Sequence, residues 1–242
     1  MERLNKYLAS CGVASRRGAD KLIEEGHVKI NNKPVDQLGV LVNPDRDKVS
    51  VDGIIVTPIN NFSYVMLYKP KGCVTTVSDE MGRKTVYDYL QDLSIPHLVP
   101  VGRLDYDTEG LLLLTNDGDL VHDLTHPSHE VPKTYIVKVN GQVLEHKLAQ
   151  LRKGVIIDDG NGNKVKTDRA KVKLVGFEDD TSRFEVTIHE GKNRQIRKMF
   201  EAVGEEVIFL KRVSIGDLRL GGLARGKYRY LNDAEIEYLK RL

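Results

Sequence analysis

The 242-residue chain holds only two cysteines, Cys11 and Cys73. That is no disulfide framework and too few thiolates for a cysteine-based zinc site. It also has no apolar run near the roughly 18–20 residues that span a bilayer. Its start, Met1-Glu2-Arg3-Leu4-Asn5-Lys6, lacks the apolar core of a secretory signal. The expected compartment is therefore cytoplasmic, with both thiols reduced and no membrane partner. Excess charge is lacking too: 37 Lys and Arg face 35 Asp and Glu, a net of +2. A polycation that holds nucleic acid by bulk charge is excluded, whereas local basic patches are not. No 20–50-residue repeat and no low-complexity tract occurs.

What is present is a folded chain. Hydrophobic residues make 40% and charged residues 30%, enough for a sizeable core in one large domain or two unequal ones. Leu4, Tyr7, Leu8 and Cys11 recur at helical spacing, with Gly12 as a stop. Ser15 can cap a second helix with Ala19, Leu22 and Ile23 on its apolar stripe, ended by Gly26. His27 to Ile30 reads as a strand, Asn31-Asn32 as a turn, and Asp52-Gly53 as a hairpin between β-branched residues. Residues 57–61 read as a linker. The spacing thus predicts a small domain over 1–58 and a larger one over 62–242.

The larger segment predicts strands at Tyr64 to Tyr68, Leu111 to Leu114, Thr134 to Val139, Val172 to Val175, Phe184 to Ile188 and Val207 to Leu210. Helices are expected at Asp119 to Leu124, around Leu144, Leu148 and Leu151, and from Asn193 to Val203. Asn232 with Glu235, and Leu231 with Ile236, fit a capping box and a hydrophobic staple. Strands outnumber helices without regular βαβ alternation, so the fold class is α+β.

Two stretches concentrate positive charge. Residues 1–33 carry seven Lys and Arg against four acids, a net of +3. Arg16 and Arg17 stand in the first turn of a helix, where the macrodipole favours acids. A phosphate bound there would reverse the argument, since free N–H groups and two guanidinium forks would all point at it. The plain alternative is a solvated basic face. Residues 190–230 carry ten Lys and Arg against five acids, a net of +5. A phosphate-facing groove built from Lys192, Arg194, Lys198 and Arg212 is the expectation there.

The segment from Gly102 to Gly118 is acidic, with Asp105, Asp107 and Glu109 before Gly110. An EF-hand starts this way, but here four leucines follow and Asn116 stands where a bidentate Glu is required. A glycosidase-like carboxylate pair is a second reading, and an Asp-Gly turn feeding a buried strand is a third. His122, His126 and His129 invite a metal, yet Pro127 breaks the helix that their spacing would need.

The head pattern, Arg3-Leu4-x-Lys6-Tyr7-Leu8-Ala9, Gly12-Val13-Ala14-Ser15-Arg16-Arg17 and Gly26 to Val35, resembles the RNA-binding domain of ribosomal small-subunit protein four. That resemblance implies RNA contact through Arg16, Arg17, Lys21 and Lys33. Farther on, Gly102-Arg103-Leu104-Asp105 with the leucine strand and Thr115-Asn116-Asp117-Gly118 resembles the signature of the ribosomal RNA pseudouridine synthases. His126-Pro127, Lys133-Thr134-Tyr135-x-Val137, Glu190 to Phe200 and Leu210-Lys211-Arg212 resemble its following blocks. The order matches the subfamily of small-subunit synthase A and large-subunit synthases B, E and F. Asn193-Arg194 and the Met-Phe-Glu-Ala-Val-Gly run are most similar to the synthase B branch.

The resemblance implies a pseudouridine synthase fold with a mixed, mainly antiparallel sheet, and an enzyme that isomerises one uridine of ribosomal RNA. The large-subunit RNA is preferred. The alternatives are the small-subunit RNA and a non-catalytic ribosome-assembly factor. The expected partner is a stem-loop, free or within an assembly particle, bound by a monomer without a cofactor or metal. The implied catalytic residues are Asp105, Tyr135 and Arg197. Asp105 acts on the sugar or the base. Tyr135 stacks on the uracil. Arg197 pairs with Asp105 and keeps it ionised. Arg103 enters the RNA helix as the uridine leaves, because a stacked uridine hides its glycosidic bond. From the residues alone, Arg197 reads rather as a surface i, i+4 partner of Glu201, and Arg103 can be a structural ion-pair partner of a neighbouring acid.

Overall fold

The computed structural model describes all 242 residues. Its backbone contacts divide into two compact units. One comprises Met1–Ser63 with the short pieces Ile95–His97 and Asn116–Gly118; the other takes the remainder from Tyr64 onward.

The first unit contains α1 (Leu4–Ser10), α2 (Arg16–Glu24), β1 (Val28–Ile30), β2 (Lys33–Val35), β3 (Val49–Val51) and β4 (Ile54–Ile55). The Ser15 hydroxyl caps α2 by accepting from the Gly18 N–H at 3.1 Å. The strands run β2-β1-β3-β4, all antiparallel. Asn31 and Asn32 both take positive φ, 51° and 66°, as a two-residue hairpin between twisted strands requires. Leu4, Tyr7, Leu8, Ala19, Ile23, Val28, Val42 and Val49 form the core. Each large apolar side chain among them contributes about 1.5–3 kcal/mol through burial.

The second unit contains β5 (Tyr64–Lys69), β6 (Glu109–Thr115), α3 (Gly118–Thr125), β7 (Lys133–Asn140), α4 (Glu145–Lys153) and β8 (Lys171–Glu178). It continues with β9 (Thr181–Ile188), α5 (Gln195–Glu201), β10 (Val207–Ile215), β11 (Tyr228–Tyr230) and α6 (Asp233–Leu239). The seven strands lie in the order β8-β9-β7-β10-β6-β5-β11 within a nine-stranded sheet. Every neighbouring pair on this path is antiparallel except β10 with β6. Strands β5 and β6 are buried at every residue, so this part of the sheet is covered on both faces. Toward the edge, β9 alternates: Phe184, Val186 and Ile188 are buried while Arg183 and Glu185 are exposed. The α+β reading with a mainly antiparallel sheet is borne out.

Several expectations change at the element level. Strand β10 does not stop at Leu210 but runs on to Ile215. The helix expected from Asn193 starts at Gln195, because Arg194 takes a left-handed φ of 49°. Leu144 precedes α4 as its N-cap and is exposed, so it lies off the apolar stripe. Strand β11, pairing with β5, has no counterpart in the sequence reading. At the other end, Asn232 and Glu235 form the expected capping box on α6.

Candidate active site

The parallel seam between β6 and β10 sets the site. Lys211 stands beside Glu109 and Arg212 beside Gly110. Gly110 has φ 115°, and a Cβ there would lie 2.1 Å from the Arg212 carbonyl oxygen. Only glycine permits this approach. The loop carrying Asp105 leads directly into β6, so the seam fixes it against β10.

Lys69, the last residue of β5, holds the same loop from beneath. It is fully buried. Its ammonium donates to the carbonyl oxygens of Pro70 at 3.1 Å, Asp105 at 2.9 Å and Thr108 at 2.9 Å. Burial pushes its pKa down, against the pull of nearby Cys73 and the loop acids. The strand predicted over Tyr64 to Tyr68 stops one residue short of Lys69. The only signal of its burial was its place at the end of an apolar strand.

Above the loop opens a cavity of about 630 Å³, within the ~300–1,000 Å³ of ordinary ligand pockets. Arg103, Asp105, Tyr135, Lys192, Arg194 and Arg212, all named from the sequence, line it. Tyr135 and Arg212 are cross-strand partners on β7 and β10. Tyr135 is buried and Arg103 is exposed without an acidic partner.

The three loop acids have three different fates. Glu109 is buried, accepting from the Tyr68 hydroxyl at 2.7 Å with Arg225 at 3.2 Å. Asp107 accepts two hydrogen bonds from Arg194, at 3.0 and 2.9 Å. Asp105 is left without a close ion pair, Arg194 Nη1 standing 3.9 Å away, and its side chain is 32% exposed.

Arg197 is therefore corrected: it pairs with Asp107, not Asp105. Its Nε lies 3.2 Å from an Asp107 carboxylate oxygen, too poorly aligned for a hydrogen bond. Its Nη2 donates to the Asp107 carbonyl at 3.1 Å and its Nη1 to the Val207 carbonyl at 2.8 Å. Asp107 offers both a carboxylate and a carbonyl, so one residue engages two groups of the guanidinium. Arg197 does not line the cavity and does not pair with Glu201. Burial by itself would raise the Asp107 carboxyl pKa. The Arg194 hydrogen bonds and the Arg197 charge outweigh it and hold the group below the usual carboxylate range. Asp107 was visible in the sequence only as one acid among three.

The remaining expected contacts divide. Lys198 donates to the Asp158 carbonyl and Asn193 Oδ1 and lies outside the cavity lining, so it braces a hairpin. Lys192 pairs with Glu190. Arg16, Arg17, Lys21 and Lys33 are all exposed on the first unit. His122, His126 and His129 do gather, with ring centroids 4.9–6.0 Å apart. They form no group able to hold a metal ion.

Comparison with known proteins is consistent along the chain. Residues 63–202 match the family described as RNA pseudouridylate synthase, and residues 2–47 match the S4 domain. The chain is 45% identical to the ribosomal large subunit pseudouridine synthase B of Bacillus subtilis, over 100% of this chain and 97% of that one. It is 43% identical to an uncharacterized RNA pseudouridine synthase of Aquifex aeolicus, over 98% and 93% respectively. A crystal structure of a pseudouridylate synthase superposes with a TM-score of 0.70 at 36% identity, covering 99% of this chain and 100% of that one.

Proposed function

The chain belongs to the RNA pseudouridylate synthase family, and from that premise we propose that it converts one uridine of large-subunit ribosomal RNA to pseudouridine with Asp105 as its catalytic carboxylate. The observation that carries the assignment is elimination within one loop. Glu109 and Asp107 are consumed by close partners, and Asp105 alone of the three lines the cavity, with Arg194 no nearer than 3.9 Å. A carboxylate there can attack the sugar or stabilise positive charge on it as the N1–C1′ bond breaks.

The other residues take supporting roles. Tyr135 supplies an aromatic face on which the extruded uracil stacks. Arg103, exposed at the rim, fills the gap that the flipped base leaves in the RNA stack. Arg197 acts at one remove, setting the loop through Asp107. Residues 1–58 form the RNA-binding domain and 62–242 the catalytic one. The substrate is an rRNA stem-loop, free or in an assembly particle, read through shape and unpaired bases by a cytoplasmic monomer.

The test is pseudouridine mapping of ribosomal RNA from cells lacking the gene, complemented with wild type or Asp105→Asn. One large-subunit pseudouridine disappears with the gene, returns with wild type, and stays absent with Asp105→Asn. Its return with Asp105→Asn would remove the carboxylate role. No missing pseudouridine at all would favour an assembly factor.

A further inference from the structure

Arg212 and Thr108 line the cavity, and each carries a buried polar atom without a hydrogen-bond partner in the protein, Nη2 and Oγ1; a third cavity residue with such an atom, Glu190, has its Oε2 beside the Lys192 ammonium. Arg212 is 3% exposed and Thr108 2%. Leaving such groups unpaired is costly, so a fold keeps them where a ligand completes them. Arg212 is not loosely placed. Its Nε donates to the Leu111 carbonyl at 2.8 Å, which fixes the guanidinium and leaves Nη2 unused. Lys133 also lines the cavity, two residues before Tyr135 on β7 and therefore on the same face. Its ammonium has only the Val131 carbonyl, at 3.0 Å. Burial and the Arg212 charge push its pKa down to about 8. Lys133 and Arg212 thus line one cavity, near enough for one charge to act on the other, with the tyrosine expected to stack on the base.

The chemistry of the proposed function, on which this inference rests, generates a matching charge. When the N1–C1′ bond breaks, its electron pair leaves with the uracil, and the negative charge spreads over N1, O2 and O4. A bond then forms from C5 to C1′, the C5 proton is lost and N1 gains one, so the product is an isomer. A fixed, water-poor donor set facing a uracil oxygen stabilises that intermediate charge more than the neutral nucleotide. A backbone phosphate fits less well, because it stays hydrated with its strand while these two groups lie buried.

We propose that the Arg212 guanidinium and the Thr108 hydroxyl, with Lys133 in the same cavity, form a donor site for a carbonyl oxygen of the target uracil and carry the charge that appears when the glycosidic bond breaks. Arg212 is then a catalytic residue rather than a general RNA contact.

The experiment measures pseudouridine formation in single turnover at saturating rRNA stem-loop, RNA affinity, and the thermal midpoint, for wild type, Arg212→Gln and Thr108→Val. The Arg212→Gln rate falls about 100-fold or more while RNA affinity stays unchanged. Thr108→Val, which keeps the shape, slows the reaction about 10-fold with an unshifted midpoint, as loss of one donor implies. If Arg212→Gln does not fold, Thr108→Val alone decides. Weakened affinity with an intact rate would make this a phosphate contact and overturn the proposal. Wild-type rates in both variants would overturn it while leaving the proposed function standing. An inactive wild type would overturn both.

Discussion

Asp105, Asp107 and Glu109 occupy alternate positions along one short loop and the first residue of β6, yet their surroundings give them unrelated work. Glu109 is locked into the sheet with Tyr68 and Arg225. Asp107 gathers two arginines and so orients α5 and the loop together. Asp107→Asn should therefore lower turnover about 100-fold through misplacement of Asp105, with RNA affinity retained; single-turnover rates and a binding titration check this. A pH consequence follows from the same pairing. The folded state holds the Asp107 carboxyl below its ordinary range. Its contribution to stability is thus present above the unfolded value of about 3.9 and disappears as pH falls through the lower folded value. Urea denaturation from about pH 6 to 3 should show wild type more stable than Asp107→Asn at the upper end and the gap closing toward the lower.

At the scale of elements, the seam between β6 and β10 is the joint on which the site depends. Gly110→Ala would drive a methyl into the Arg212 backbone. The expected cost is about 3 kcal/mol or more, read as a lower urea midpoint with loss of activity in whatever fraction folds. Much of the element plan was legible in short windows. Ser15, the Asn31-Asn32 pair, Asp52-Gly53 and the Asn232–Glu235 box each declare their local geometry through side-chain chemistry and turn preference. The alternation in β9 and the leucine run in β6 declared burial. What was not legible depends on partners far away in sequence. The parallel pairing of β6 with β10, the burial of Lys69 beneath three carbonyls, and the choice of Asp107 over Asp105 by Arg197 have no local signature. The candidate site was legible for Asp105, Tyr135 and Arg212 only because the ordered motifs resemble a known family. Lys69 and Thr108 were missed because a lysine at a strand end and a threonine in an acidic loop look ordinary in isolation.

For the molecule as a whole, the net charge of +2 conceals two basic stretches. The first unit presents Arg16, Arg17, Lys21 and Lys33 to solvent, whereas several cations of residues 190–230 are tied up internally. Salt-sensitive affinity should therefore reside largely in the first unit. Arg16→Ala with Arg17→Ala should weaken RNA binding and reduce the salt slope by roughly one to two units, measured by titration across a range of salt concentrations. An unchanged slope would take these arginines off the RNA. The Leu111 carbonyl that holds Arg212 lies 101 residues earlier in the chain, and this separation has a temporal side. Loop closure over such a span is slow, and pairings of this kind govern late steps of folding. While the chain is being made, the loop bearing Asp105 emerges long before the strand that completes its pocket. A protein proposed to modify the ribosome therefore has no working centre until synthesis has passed residue 215.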